Sequence, residues 1–238
     1  MAVALTVAAA SITALPNAAP VAAAQPRGGS TSGCPASSPV AATKASCHPT
    51  TAAEVQYTWH QGCPVGISKL TTIDMNYLDF AGTVTRGQIV VATQRVADVL
   101  VAFDAAYSSG YQIAQMTNPN AYQGDDVAMM EADNTSGFNC RLVTGGTSTS
   151  WSAHSYGTAV DINPVENPYH SSSGAWYPSS DSPYILGDVL DRDPASDPLL
   201  AHPAAVLRPS SAFNQAFASR GWTWGGGWLN RDYQHFQR

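Results

Sequence analysis

Charged side chains are scarce in this chain, and lysine is scarcer still. Asp, Glu, Lys and Arg make up 12% of the 238 residues, about half of the roughly 25% that is usual in soluble domains. The net charge is −6, and the only lysines are Lys44 and Lys69. Because there is no basic stripe to neutralise a row of phosphates, we do not expect nucleic acid as a partner. Anionic membrane surfaces are disfavoured for the same reason.

A long hydrophobic run is also missing from the body of the chain, where no stretch of about 18 apolar residues occurs. Residues 1–24 are apolar and small and end in an Ala-rich stretch, which is typical of the core and cleavage region of a secretory signal. They lack the basic leader of such a signal, so an Ala-rich disordered tail is the alternative. We predict a secreted or cell-wall-associated protein with no integral membrane segment in the mature chain, acting as a monomer.

Cysteines are few but even in number, namely Cys34, Cys47, Cys63 and Cys140. Four cysteines allow three pairings, and an exported chain would meet an oxidising compartment. We favour a disulfide between Cys63 and Cys140, because both lie in globular sequence, which leaves Cys34 to pair with Cys47. The alternative, a zinc knuckle, lacks the usual Cys-x-x-Cys spacing.

Composition divides the rest of the chain into two parts. Residues 25–56 are rich in Gly, Ser, Thr, Pro and Ala without apolar periodicity, which indicates a disordered linker. From Tyr57 onward the composition becomes globular, so residues 57–238 are predicted to form one domain. Within it, residues 163–209 are dense in Pro, Ser, Asp and Gly, and either a substrate-binding loop or a surface insertion fits that pattern.

Hydrophobic periodicity predicts a few elements of the domain. Alternation of apolar and polar residues predicts a strand with one buried face, carried by Ile73, Met75 and Tyr77. Apolar residues at helical spacing predict a helix that ends before Gly110, carried by Val96, Val99, Leu100, Phe103 and Tyr107. We also expect a short strand over residues 111–116 and a helix capped by Ser210. Their irregular order favours an α+β domain with a small, mainly antiparallel sheet and flanking helices.

Two segments contain the residues that metal chemistry needs. In Ser152-Ala-His154-Ser-Tyr-Gly157-Thr-Ala-Val-Asp161, a glycine lets the backbone turn between an imidazole and a carboxylate. Near the C-terminal end, Asp232 precedes His235 by three positions. Two histidines and one aspartate, His154, Asp161 and His235, are a suitable donor set for zinc and leave a position open for water. A His and an Asp at this spacing taken alone more often serve packing or capping, so the residues by themselves leave both interpretations open. Asp232 is then free to act as general base on that water.

The same segments resemble the signature of the VanY and VanX type D-alanyl-D-alanine peptidases, Ser-x-His-x-x-Gly-x-Ala-x-Asp followed by acidic-x-x-His. The resemblance is to the VanY-like branch over about residues 57–238. Further matching strings are Gly62-Cys-Pro-Val65, Phe80-Ala-Gly82, Gly87-Gln-Ile-Val-Val91, Asn134-Thr-Ser136, Phe138-Asn-Cys-Arg141, Asp161-Ile-Asn-Pro164 and Trp224-Gly-Gly226. The dipeptidase branch has Glu where this chain has Asp232.

The resemblance implies a hedgehog-like peptidase fold and a role for each matching residue. Zinc would be bound by His154, Asp161 and His235, with Asp232 as the base. Arg141 would stabilise the developing oxyanion or the substrate carbonyl, and Ser152 would contact the substrate. The implied substrates are peptidoglycan stem peptides, and the implied activity is that of a D-alanyl-D-alanine carboxypeptidase.

Other functions fit less well. Neither lysine has a serine three positions before it, so the Ser-x-x-Lys motif of serine D-Ala-D-Ala peptidases is absent. An L-alanyl-D-glutamate endopeptidase would use the same ligands, and the sequence does not separate it from a carboxypeptidase. A zinc-stabilised cell-wall binding module without turnover is the other alternative, although it has no need of Asp232. We expect His60 to pack beside Trp59 and Cys63 and to have no metal role.

Overall fold

The protein is described by a computed structural model that covers residues 33–36, 38–145, 147–185 and 199–238. The predicted signal segment, residues 1–24, lies outside the described residues. The largest sheet contains three antiparallel strands, in the order β1-β2-β3. These strands are β1 (Ser46–Pro49), β2 (Leu70–Leu78) and β3 (Val84–Ala92).

One face of this sheet packs on a helix, as the periodicity predicted. The alternating residues of β2 are buried, with exposed fractions of 0% for Ile73, 0% for Met75 and 6% for Tyr77. They pack in one core with α1 (Val96–Ser108), whose buried stripe includes Val99, Leu100 and Phe103. The chain then turns at Gly110, where φ is +79°. Both predicted elements are confirmed.

Two shorter helices, α2 (Asp126–Glu131) and α3 (Ala212–Ser219), complete the helical part. α3 buries Phe213 and Phe217 completely. The predicted cap is wrong by one residue, because Ser211 occupies the N-cap position. Its hydroxyl accepts a hydrogen bond from the Arg208 backbone amide at 2.8 Å, instead of one from the helix.

The short strand predicted over residues 111–116 is wrong. This segment makes only isolated bridges, from Gln112 to Leu78 and from Gln115 to Asn134. The side chain of Asn163 explains the difference, since its Oδ1 accepts from Ala114 N at 3.1 Å and its Nδ2 donates to Gln112 O at 2.9 Å. A side-chain amide therefore takes the backbone groups that a strand ladder would need.

The predicted linker also needs correction, because its described part contains strand β1. Cys47 lies opposite Ile73 in the sheet and is 3% exposed. A strand of four residues is too short to show periodicity, and its position depends on pairing with a distant strand and on a disulfide from Cys34 to Cys47. The second disulfide joins Cys63 to Cys140, so the favoured pairing is confirmed.

A second antiparallel sheet has the strand order β4-β8-β7. Its strands are β4 (Ala159–Asp161), β7 (Thr223–Trp224) and β8 (His235–Gln237), and a separate hairpin is formed by β5 (Tyr169–His170) and β6 (Trp176–Tyr177). Val160 and Phe236 are fully buried and join the same core as α1 and α3. The architecture is thus α+β with small antiparallel sheets. Within the described residues, none of the helices has the length and apolar character needed to cross a membrane.

Candidate metal centre

Strand register brings Asp161 and His235 together. In the antiparallel pair of β4 and β8, Asp161 lies directly opposite His235, and Val160 lies opposite Phe236. Since side chains alternate between the two faces of a sheet, the apolar pair enters the core while the polar pair shares the other face. Two segments 74 residues apart thereby present a carboxylate and an imidazole at one place.

His154 reaches the same place from a short 3-10 helix, Ala153–Tyr156. The helix begins after Ser152, whose hydroxyl accepts a hydrogen bond from the His154 amide at 3.3 Å. It ends at Gly157, where φ is +66°, and the Gly157 carbonyl accepts from the Ala92 amide at 2.8 Å. The turn at Gly157 therefore fixes the helix against the end of β3, and β4 begins two residues later.

The three side chains form a compact buried cluster. His235 Nδ1 lies 2.8 Å from Asp161 Oδ1, and His154 Nε2 lies 3.1 Å from Asp161 Oδ2. The facing nitrogens of the imidazoles, His154 Nε2 and His235 Nδ1, are 3.2 Å apart. The exposed fractions are 2% for His154, 4% for Asp161 and 6% for His235. The three residues therefore form a small triangle, in which each oxygen of Asp161 faces one imidazole nitrogen.

The triangle fits the dimensions of a zinc site. Zinc bonds to His nitrogen and carboxylate oxygen at about 2.0–2.2 Å, so tetrahedral ligand atoms lie roughly 3.3 Å apart. The donor distances of 2.8–3.2 Å here need to widen by only a few tenths of an ångström on this arithmetic. The donor set and its spacing can therefore accommodate a zinc ion.

Hydrogen bonds on the far side of each ring orient the two imidazoles. His154 Nδ1 lies 2.6 Å from the Gly137 carbonyl, and His235 Nε2 lies 3.0 Å from Gln237 Oε1. A carbonyl or amide oxygen can only accept, so these two nitrogens carry the protons. When each ring is neutral, as metal binding requires, the facing nitrogens are left with lone pairs suited to a metal. Gln237 was not identified from the sequence, although it lies two residues after His235 on the same face of β8.

Mutual electrostatics favour the ionised forms of Asp161 and His235. Burial alone would raise the pKa of Asp161, but the charges and hydrogen bonds of His154 and His235 outweigh it and keep that pKa below its usual range. Burial alone would lower the pKa of His235, but the hydrogen bond and charge of Asp161 raise it to about 9. The carboxylate thus attracts cations, whether protons or a metal ion.

Asp232 lines the same cleft, which has a volume of about 270 Å³. Burial raises the pKa of this carboxyl to about 7, the His235 charge opposes the rise, and the negative Asp161 adds to it. Its Oδ1 is buried without a hydrogen-bond partner among the described residues. A carboxyl with a free oxygen and a pKa near neutrality has the properties of a general base.

The structure also brings Arg141 and Ser152 to the cleft wall. Arg141 Nη2 lies 2.7 Å from Asp126 Oδ1, an ion pair that sequence reasoning missed. Ser152 is 6% exposed, and its hydroxyl caps the helix that carries His154. Ser152 therefore caps this helix. The resemblance implies that it also contacts the substrate.

Residues from the long segment 163–209 reach the cleft as well, since Tyr169 and Ser172 line it together with Trp228. A second group with metal-ligating atoms is His60 with Cys63 and Cys140. Its two cysteines form a disulfide, which removes both thiolates as ligands. His60 is exposed, so the prediction that it is packed is wrong, although its ring lies 6.0 Å from that of Trp151.

Comparison with known proteins relates the site to a peptidase family. Residues 145–238 match the family model described as D-alanyl-D-alanine carboxypeptidase. No curated protein and no solved structure gives a significant match to the chain. The matched segment includes His154, Asp161, Asp232 and His235, whereas Arg141 lies just before it. The family match confirms, over residues 145–238, the resemblance found in the sequence, and this part of the chain is similar to the D-alanyl-D-alanine carboxypeptidase family.

Proposed function

We propose that this protein is a secreted zinc metallopeptidase that hydrolyses peptidoglycan stem peptides, acting as a D-alanyl-D-alanine carboxypeptidase. The observation that carries the proposal is the buried triangle of His154, Asp161 and His235, which lines a cleft together with Asp232 and Arg141. The family match supports a peptidase, and two disulfides are consistent with an extracellular location.

Zinc would be held by His154 Nε2, Asp161 and His235 Nδ1. When bound, it supplies Lewis acidity, which makes water reactive at neutral pH and polarises a peptide carbonyl. Gly137 O and Gln237 Oε1 keep the two imidazoles in the tautomers and orientations that this binding needs. The ligands therefore depend on partners that do not touch the metal.

Asp232 would take the proton from the attacking water and pass it to the leaving amine. Its buried environment favours this exchange, since a carboxyl with a pKa of about 7 can both accept and release a proton near neutral pH. A positive zinc ion nearby would lower that pKa and favour the carboxylate at the start of the reaction. Arg141 would donate hydrogen bonds to the carbonyl oxygen as negative charge develops on it.

The activity can be tested by incubating the protein with purified stem peptides and analysing the products by mass spectrometry. Three samples are compared: protein with zinc, protein treated with a chelator, and chelator-treated protein to which zinc is restored. We expect loss of one terminal D-Ala, abolished by the chelator and recovered with zinc. His154→Ala should lose both activity and stoichiometric zinc, whereas His60→Ala, an exposed histidine outside the triangle, should keep both. Cleavage between L-Ala and D-Glu would identify the endopeptidase instead. Intact peptides with a zinc-loaded protein would favour a binding module.

A further inference from the structure

Arg141 is fixed at its backbone and at its guanidinium by different parts of the fold. Its amide donates to Ser155 Oγ at 2.9 Å and its carbonyl accepts from Ser152 N at 3.0 Å, so its backbone follows the helix that carries His154. Its guanidinium instead donates from Nη2 to Asp126 at 2.7 Å and from Nη1 to the Leu142 carbonyl at 3.2 Å. Asp126 is the first residue of α2.

The carboxylate of Asp126 is itself fixed at its second oxygen. Thr144 Oγ1 donates to Asp126 Oδ2 at 2.8 Å, and the Thr144 carbonyl accepts from the Tyr169 hydroxyl at 3.1 Å. The side chain of Asp126 is 12% exposed and that of Arg141 is 19% exposed. These residues all line the cleft. Such partial burial makes a charged hydrogen bond stronger and more directional than it is at a free surface.

We propose that Asp126 is a positioning residue for Arg141 in the proposed peptidase reaction. An arginine has many rotamers, and the anchoring of Nη2 by Asp126, beside that of Nη1 by the Leu142 carbonyl, restricts which N–H groups face the substrate. Asp126 also offsets the positive charge of Arg141, so that the guanidinium acts through directed hydrogen bonds more than through net charge. The proposal depends on the proposed function, because it assigns Asp126 no contact with the substrate and an effect only through Arg141.

The competing role for Asp126 is structural, since an acidic residue in the first turn stabilises a helix. The neighbouring Asp125 provides a matched control. Its Oδ1 caps α2 by accepting from Val127 N at 3.0 Å and Ala128 N at 3.1 Å. Asp125→Asn removes the same charge from the same turn, and asparagine caps helices about as well as aspartate.

The first test is a double-mutant cycle on a D-Ala-D-Ala stem peptide, with zinc content and thermal unfolding measured for each variant. We expect Asp126→Asn to lower kcat roughly 10- to 100-fold, the size of effect that a misplaced catalytic group produces. KM should stay the same or fall, because the freed guanidinium attracts an anionic substrate more strongly. Asp126→Asn should have no further effect in the Arg141→Ala background, and Asp125→Asn should retain the parent activity.

The second test does not depend on activity, and uses nitrogen NMR of the arginine side chains. Arg141 held by Asp126 should show separate Nη resonances that merge in Asp126→Asn and remain separate in Asp125→Asn. If the parent protein is inactive on stem peptides but its Arg141 Nη resonances still merge in Asp126→Asn, the proposed function is wrong. The proposal that Asp126 positions Arg141 then still holds. The positioning proposal is wrong if the Arg141 resonances do not change in Asp126→Asn. It is also wrong if Asp126→Asn lowers kcat by the same factor in the Arg141→Ala background as in the parent.

Discussion

At the scale of single residues, the candidate site depends on two kinds of atom. Side-chain donors of His154, Asp161 and His235 form the triangle, and their residue types make them visible in a sequence that has few charged groups and six histidines. The second kind is a backbone atom, the Gly137 carbonyl oxygen, which orients His154. Every residue has such a carbonyl, so the sequence does not show which one takes this role. The side chains that form the cluster could thus be predicted, and the backbone group that orients His154 could not.

The variant Asp232→Asn tests whether Asp232 acts in catalysis without taking part in metal binding. Asparagine is nearly isosteric but cannot accept the proton, so turnover on a D-Ala-D-Ala stem peptide should fall by about 10² to 10⁴. Zinc content should not change, because Asp232 lies outside the triangle of ligand atoms. Steady-state kinetics and elemental analysis measure the two quantities. Turnover within a few-fold of the parent would show that Asp232 is not the base.

Gln237→Leu tests the support of His235. Leucine keeps the volume but removes Oε1, the partner of His235 Nε2 at 3.0 Å. The imidazole should then lose its fixed tautomer, and zinc affinity should weaken by about 10- to 100-fold. Competition with a chromophoric chelator measures the affinity. Gln237→Glu is the matched variant, because it retains an acceptor at the same position, and an equal loss in both variants would contradict the argument.

At the scale of secondary structure, short-range patterns predicted the elements that bury one regular face. β2 and α1 each have enough residues for their periods to show. β1 and β4 have four and three residues, so only pairing with distant strands defines them. The failure over residues 111–116 has another origin, since the side chain of Asn163, about 50 positions away in the chain, takes the backbone groups of the expected ladder.

Gly157→Ala tests the turn that joins the His154 helix to β4. Gly157 has φ +66°, and an added Cβ would lie 2.5 Å from the Ala92 amide nitrogen. We expect a loss of unfolding free energy above the roughly 1–2 kcal/mol that a left-handed backbone costs an L-residue, together with weaker zinc binding. Denaturant unfolding and chelator competition measure both.

The control for that change is Gly110→Ala. Gly110 also has positive φ, at +79°, but an added Cβ would meet nothing within 4 Å. Its loss should therefore be the backbone cost alone, with zinc affinity unchanged. If the two glycine variants were equally destabilised and bound zinc equally well, contact between Gly157 and β3 would not contribute to the site.

At the scale of the whole molecule, the site is held by connections that span the chain. The last strand, which carries His235, is followed by Arg238, whose Nη1 donates to Asp98 Oδ2 of α1 at 2.9 Å. Arg220, at the end of α3, donates to the other oxygen of Asp98 at 2.8 Å. This buried carboxylate therefore joins both helices to the strand that bears a ligand. None of these partners has a sequence signal, because each pair is separated by more than 100 residues.

The two disulfides should stabilise the protein to different extents, because they close loops of very different length. The sequence separation is 77 residues for Cys63–Cys140 and 13 for Cys34–Cys47. On the chain-entropy account, replacing the two cysteines of one disulfide by serine lowers the free energy of unfolding. The loss should be about 4.5 kcal/mol for Cys63–Cys140 and about 3 kcal/mol for Cys34–Cys47. Urea unfolding in the presence of a chelator measures this difference without the contribution of bound metal.

The pairs form a matched comparison, because each has one buried cysteine, with 7% exposure for Cys140 and 3% for Cys47. Their effects on turnover should differ as well. Cys140 directly precedes Arg141, and its amide donates to the Thr58 carbonyl at 2.9 Å, so loss of Cys63–Cys140 should loosen the backbone from which the guanidinium extends. Cys34 and Cys47 anchor β1 to the sheet instead and do not line the cleft. We therefore expect a reduced kcat for the first pair of serine variants and parent-like kcat for the second at a temperature where both are folded. Equal losses of kcat in the two variants would mean that global stability, and not the placement of Arg141, determines turnover.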